Sequence, residues 1–153
     1  MQGKRLFVAI DLSDAIKQSL VRVNPQIKGV RWLSAEQMHF TLSFLGNVVA
    51  DIEEKLCAQL RAFEWSAFTL PISGLGTFPG KGRPNILWIG VGAGHPHLVQ
   101  WHKRVQDAAL AAGLEPDLRP WHPHVTLARC RDISAESIRP FLRANVDFDA
   151  GMI

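Results

Sequence analysis

The sequence predicts an α+β fold, and three observations carry that prediction. Several strand-like segments follow one another without a helix between them, which argues against the regular βαβ alternation of a parallel sheet. The tetrapeptide HFTL at 39–42 returns as HVTL at 124–127. Each half of the chain offers a strand, a helix and an H-x-T-L strand in turn, a coarse internal echo. A pseudo-twofold arrangement would bring the two H-x-T-L strands face to face.

The elements follow in order. RLFVAIDL (5–12) is a β-rich run with apolar residues on both faces, as in a central strand. From 13 to 23, Ile16, Leu20 and Val23 recur at helical spacing with Ser13 as the N-cap. VRWL (30–33) and MHFTLSFLG (38–46) are strand-like. DIEEKLCAQLRAF (51–63) joins an Asp51/Glu54 capping-box pattern to a stripe of Ile52, Leu56, Leu60 and Phe63. AFTLPISGLGTF (67–78) and NILWIGVG (85–92) read as strands around a Gly/Pro-rich loop, PGKGRP (79–84). HLVQWHKRVQDAALAAG (97–113) is a second amphipathic helix with Leu98, Trp101, Val105, Ala108 and Ala112 on one face, and Gly113 stops it. HVTLARC (124–130) is a strand, and a short helix from Ser134 is expected to be disturbed at Pro140.

At 153 residues the chain has the size of one domain with a real core, and 47% hydrophobic against 20% charged residues is ordinary globular composition. A net charge of +3 suits a polyanionic partner without identifying one. Cys57 and Cys130 lie far apart and outside any C-x-x-C spacing, so two thiols in a reducing compartment are expected. No stretch approaches the ~20 apolar residues that span a bilayer, and the N-terminal run is too short for a signal peptide. A cytoplasmic protein with no membrane association is expected.

Only four threonines occur, and two of them stand two residues after a histidine. Residues two apart on a strand share a face. His39 and Thr41 therefore project together while Phe40 and Leu42 turn to a core; His124 and Thr126 do the same over Val125 and Leu127. A single strand histidine is commonly a surface or hydrogen-bonded core residue, but such a role gives no reason for the threonine to recur. If the four side chains converge, one neutral and one protonated imidazole can coexist near neutrality, and two hydroxyls can donate to an anionic oxygen. That is a set of groups for metal-free transfer at phosphorus. No Ser-His-Asp, P-loop or nucleotide-binding glycine motif competes for the assignment.

The paired H-x-T-L strings resemble the two-histidine (2H) phosphoesterase superfamily, and the surrounding text resembles its RNA 2′,3′-cyclic phosphodiesterases, long called 2′-5′ RNA ligases. RLFVAIDL, VRWLSAEQMHFTLSFLG, GLGTFPG with ILWIGVG, and HPHVTLAR look like family blocks in the family's order, covering most of residues 5–131. The resemblance implies one bilobal α+β domain over residues 1–153, with two antiparallel sheets flanking a cleft, outer helices and one histidine motif from each lobe. It implies hydrolysis of an RNA 2′,3′-cyclic phosphate to a 2′-phosphate without metal or other cofactor, reversible as 2′-5′ ligation. His39 would be the proton donor, His124 the proton acceptor, and Thr41 and Thr126 the phosphate holders; the two motifs are locally equivalent, so spacing alone does not choose donor from acceptor. Family members usually continue past NVDFDAGMI, where this chain stops, with at least one more strand, so a second lobe short of that strand is expected. A monomer is expected.

Other residues carry secondary expectations. Arg129 stands at odd spacing from His124, so a regular strand turns it away, although the family often has arginine there and a strand twist would bring it to phosphate. Lys81 and Arg83 would border the cleft and track an RNA backbone, with a plain surface loop as the equal alternative. Trp121 would stack a terminal base, with a core role as the alternative, while Trp32 and Trp88 read as core. His95/His97 and His122/His124 are H-x-H pairs that would admit zinc, but prolines sit inside both and neither has a ligand spacing. The competing functions are a phosphodiesterase of a small cyclic phosphate, such as ADP-ribose 1″,2″-cyclic phosphate or a cyclic nucleotide, and an RNA-binding module with little turnover.

Overall fold

The computed structural model describes residues 3–65, 68, 70–91, 96–115, 117 and 120–152. Ala67, Thr69 and Gly92 of the predicted strands, and His95 of one H-x-H pair, lie outside them. The elements run β1 (Lys4–Ile10), α1 (Asp14–Arg22), β2 (Val30–Trp32), β3 (Phe40–Val48), α2 (Ala50–Ala62), β4 (Pro71–Phe78), β5 (Ile86–Val91), α3 (Pro96–Ala111), β6 (His124–Cys130), α4 (Ala135–Ala144) and β7 (Asp149–Met152). The fold is α+β with antiparallel strand pairing, as expected. Two compact units divide the chain: one of Met1–Ile10, Thr41–Phe68 and Gly94–His122, the other of Asp11–Phe40, Thr69–Ala93 and Pro123–Ile153.

The first unit sets β1 beside β3 and packs α2 on α3. Its core joins Leu56 of α2 to Ala108, Ala109 and Ala112 of the α3 end, with Ile52, Leu60 and Phe63 around them. The small alanines let the two helices approach closely. The predicted apolar stripes are thus the packed ones. The Asp51/Glu54 capping box is not formed: the N-cap is Val49, which makes no side-chain cap, and Asp51 and Glu53 fall in the first turn. Their charge there still complements the positive end of the helix dipole. Gly113 stops α3 with φ +101°, a left-handed conformation that a side chain would resist.

In the second unit the strands stand in the order β2-β6-β5-β4-β7. Leu87 and Ala128 of the sheet meet Ile138 and Phe141 of α4 in a buried cluster, with Trp32 against it. The Trp32 indole N–H donates to the Leu20 carbonyl at 3.0 Å and its ring stands edge-on to Phe141, so its core reading holds. The Ser13 hydroxyl accepts from the Ile16 N–H and caps α1 as predicted.

One expectation fails in this unit, and one strand goes unpredicted. α4 is capped by Ser134 but continues through Pro140 to Ala144. Proline removes one helical hydrogen bond, and the burial of Ile138 and Phe141 on either side outweighs that loss. The C-terminal residues, given no strand by the sequence, form β7, which pairs with β4 through Pro71↔Met152, Ile72↔Gly151 and Ser73↔Asp149. Asp, Ala and Gly have poor strand propensity, so only the open edge of β4 selects this pairing.

The β5–β6 register is decisive for the site. Gly90↔His124, Ile89↔Val125 and Trp88↔Thr126 pair in sequence, and then the register slips to Leu87↔Ala128 and Ile86↔Arg129. Leu127 is the extra residue of a bulge, and Leu127 and Ala128 are consecutive and both buried. On β4, Gly76 pairs with Trp88, and a Cβ at Gly76 would come within 2.3 Å of the indole. Gly76→Ala is therefore expected to displace Trp88 and cost ~1–3 kcal/mol by overpacking, measurable by denaturant unfolding. Among the described residues no helix is long and apolar enough to cross a membrane.

Candidate active site

Phe40 and Val125, the second residues of the two H-x-T-L strings, are direct antiparallel partners. Both are completely buried, whereas His39, His124 and Thr126 are half-buried. Strand alternation thus anchors each string by its apolar residue and turns the histidines to the opposite face. Continuing the register by one residue sets His39 opposite Thr126, within one unit. The boundary between the units falls inside the first string, after Phe40. Thr41 follows on β3 as a half-buried residue and Leu42 is buried, the alternation the sequence predicts.

His39 itself precedes the strand. A short 3₁₀ turn, Ala35–Gln37, delivers it, with the Ser34 N–H and hydroxyl both donating to the Gln37 side-chain oxygen at 3.1 and 3.2 Å. Buried Met38 fixes the exit of that turn. Nearby, Lys17 and Asp11 form an ion pair at 3.0 Å. Lys17 and the Leu12 N–H hold the Asp11 carboxyl below the usual carboxylate range. Burial pushes the His39 imidazole below the ordinary histidine value, with Asp11 opposing that shift and Lys17 adding to it.

His124 has an aromatic wall. The Phe78 ring stands edge-on to it with centroids 5.1 Å apart, the Trp88 ring lies at 6.3 Å, and Phe78 and Trp88 are 5.2 Å from each other. Trp88 is half-buried on the histidine face, not a core tryptophan, because its partner is Thr126. The Trp88 indole N–H is buried without a hydrogen-bond partner. The signal was present in ILWIGV, where alternation puts Ile86, Trp88 and Gly90 on one face and the fully buried Leu87 and Ile89 on the other.

Arg129 also departs from the regular-strand expectation. The bulge at Leu127 reverses the alternation, so Arg129, partner of Ile86, returns to the face of Thr126 and is exposed. Lys81 and Arg83 are exposed on the loop between β4 and β5. The Asn85 N–H closes that loop by donating to the Phe78 carbonyl at 2.8 Å, which keeps it at the Ile86–Arg129 end of the sheet. Both cations thus stand on the loop at the end of the sheet where Ile86 pairs with Arg129. Trp121 belongs to the other unit, where one indole face is stacked on the His102 imidazole at 4.0 Å. His97 stacks on Phe68, and His122 is exposed. Among the described residues no group of three or more His, Cys, Asp or Glu is arranged to hold a metal ion.

The face of this unit thus carries two imidazoles, a threonine hydroxyl and a guanidinium, mounted on strands whose other side is core. Such a set can bind an anionic ester and move protons on and off its oxygens. The profile of the LigT like Phosphoesterase family matches residues 10–88 and 89–152. The chain is 31% identical over 119 residues to an RNA 2′,3′-cyclic phosphodiesterase of Aeropyrum pernix, covering 77% of this chain and 68% of that one. An Escherichia coli K12 protein of the same name is 32% identical over 132 residues, with 84% and 73% covered. The crystal structure of E. coli LigT in apo form superposes with a TM-score of 0.75 at 28% identity, over 88% of this chain and 77% of that one. The same protein complexed with 3′-AMP gives 0.74 at 28%, over 86% and 77%.

Proposed function

The chain belongs to the LigT like Phosphoesterase family, and from that membership we propose that it is an RNA 2′,3′-cyclic phosphodiesterase. The observation that best supports this reading is the Phe40↔Val125 pair, which joins the two H-x-T-L strings. In the proposed reaction His124 takes a proton from water as its oxygen attacks phosphorus. The bond from phosphorus to the 3′ oxygen breaks, and His39 gives its proton to that oxygen. A 2′-phosphate and a 3′-hydroxyl result, and the two imidazoles exchange protonation states. With an RNA 5′-hydroxyl and a cyclic phosphate as reactants, the same groups would join ends through a 2′-5′ linkage.

Thr126 holds the non-bridging oxygens; Thr41, two residues after His39, supplies the equivalent hydroxyl. Thr126→Val is expected to lower kcat/KM by about 10-fold, less than loss of either imidazole, as read by initial rates. The two units serve one phosphoesterase domain that acts without a metal cofactor. Cys57 and Cys130 are free thiols, which fits a reducing cytoplasm.

The test compares initial rates in EDTA on three substrates: an RNA oligonucleotide with a 2′,3′-cyclic phosphate end, 2′,3′-cyclic AMP, and ADP-ribose 1″,2″-cyclic phosphate. The highest kcat/KM is expected on the oligonucleotide. A preference of 10-fold or more for the ADP-ribose compound would replace RNA as the substrate, and activity abolished by EDTA would refute the metal-free step.

A further inference from the structure

Strand β2 is only three residues long, and its two outer residues are spoken for. Val30 and Trp32 pack against the cluster around Ala128 and Phe141. Arg31 between them must point to the opposite face, and it is exposed. Its direct antiparallel partner is Arg129. The bulge has already put Arg129 on the face of Thr126 and His124, so Arg31 stands on that face too.

Two arginines directly opposite on adjacent strands repel, and neither can escape by losing a proton. Among the described residues the ion pairs are Lys4–Glu53 and Lys17–Asp11, and neither involves Arg31 or Arg129. A shared anion answers this arrangement, since each guanidinium offers a fork of N–H donors to phosphate oxygens. Arg129 lies three positions along β6 from Thr126, about 10 Å. The site of the reacting phosphate and the arginine pair are therefore near neighbours on one face without coinciding. Lys81 and Arg83 continue the positive charge at the same end of the sheet.

We infer that Arg31, paired with Arg129, binds the RNA phosphate immediately upstream of the cyclic one and so makes the protein select an oligonucleotide end over a free cyclic nucleotide. This deepens the proposed function and rests on it. Arg31 is a binding residue here: it holds the strand and takes no part in the proton transfers.

The test uses wild type, Arg31→Gln and Arg31→Lys on a five-nucleotide RNA with a 2′,3′-cyclic phosphate end and on 2′,3′-cyclic AMP, which has no upstream phosphate. Arg31→Gln is expected to raise KM on the oligonucleotide about 10-fold with kcat nearly unchanged, and to leave cyclic AMP turnover as in wild type. The log–log salt dependence of oligonucleotide binding should lose ~0.7 of slope, the share of one phosphate contact on a single strand. Arg31→Lys should recover part of the loss, because lysine keeps the charge and gives up the fork. Equal losses on both substrates, or no loss on the oligonucleotide, would overturn the inference. Calorimetric titration with the same five-nucleotide RNA ending in a 2′-phosphate separates this from the proposed function. If wild type turns over neither substrate, the functional reading fails, while 10-fold weaker binding by Arg31→Gln still supports the arginine subsite and unchanged binding still refutes it. Thermal melting at low salt provides the folding control: Arg31→Gln should melt no lower than wild type, since it removes one of two opposed charges.

Discussion

His124→Ala is expected to lower kcat on an RNA 2′,3′-cyclic phosphate by ~10²-fold or more while the protein stays folded. The imidazole is half-buried on the first residue of β6, and the strand is held from behind by fully buried Val125 and Leu127. Removing the side chain therefore takes away the proposed acceptor of water's proton and leaves the packing intact. Far-UV circular dichroism and melting should be close to wild type, with only the Phe78 and Trp88 rings free to shift into the space beside them. A folded His124→Ala protein with near-normal turnover would rule out this residue as the base.

His39→Ala is expected to cost a similar ~10²-fold on RNA, for the opposite reason. The group it removes is the proposed proton donor to the leaving oxygen. An aryl phosphodiester that releases p-nitrophenolate needs no such proton, so on that substrate His39→Ala should be nearly as active as wild type and His124→Ala should remain impaired. The pH dependence carries the same assignment. A donor works only while protonated, and burial lowers the His39 pKa, so the alkaline limb of kcat/KM should lie below the ordinary histidine value. Bound phosphate favours the imidazolium, so the corresponding limb of kcat should lie at higher pH than that of kcat/KM. The reverse pattern on the aryl ester would exchange the two roles.

What was legible in the sequence is what period and local chemistry control. The α1 cap at Ser13, the faces of α2 and α3, and the alternation through HFTL and HVTL all follow from spacing within one segment. The misses arise where a partner strand decides. Arg129 reads as pointing away until Leu127 is known to bulge against β5, and nothing in LARC announces that slip. Arg31 carries no signal of its own in the sequence, and its place follows only once β2 is laid beside β6 in register. Trp88 reads as core because a large aromatic in an apolar strand usually is; its pairing with Thr126 and the space over Gly76 are tertiary facts. β7 has almost no intrinsic strand signal, and α4 tolerates a proline because burial on one face outweighs one missing hydrogen bond.

In the proposed reaction two histidines open an RNA 2′,3′-cyclic phosphate at its 3′ oxygen with water. End-group analysis in ¹⁸O-labelled water tests it most directly: an RNA ending in a 2′,3′-cyclic phosphate is incubated in EDTA with wild type and with the His39→Ala/His124→Ala double variant, and the product is resolved by mass spectrometry and by 2′- and 3′-phosphate standards. Wild type is expected to give a 2′-phosphate carrying one ¹⁸O, and the double variant to leave the RNA unreacted. A 3′-phosphate, or the same product from the double variant, would contradict it.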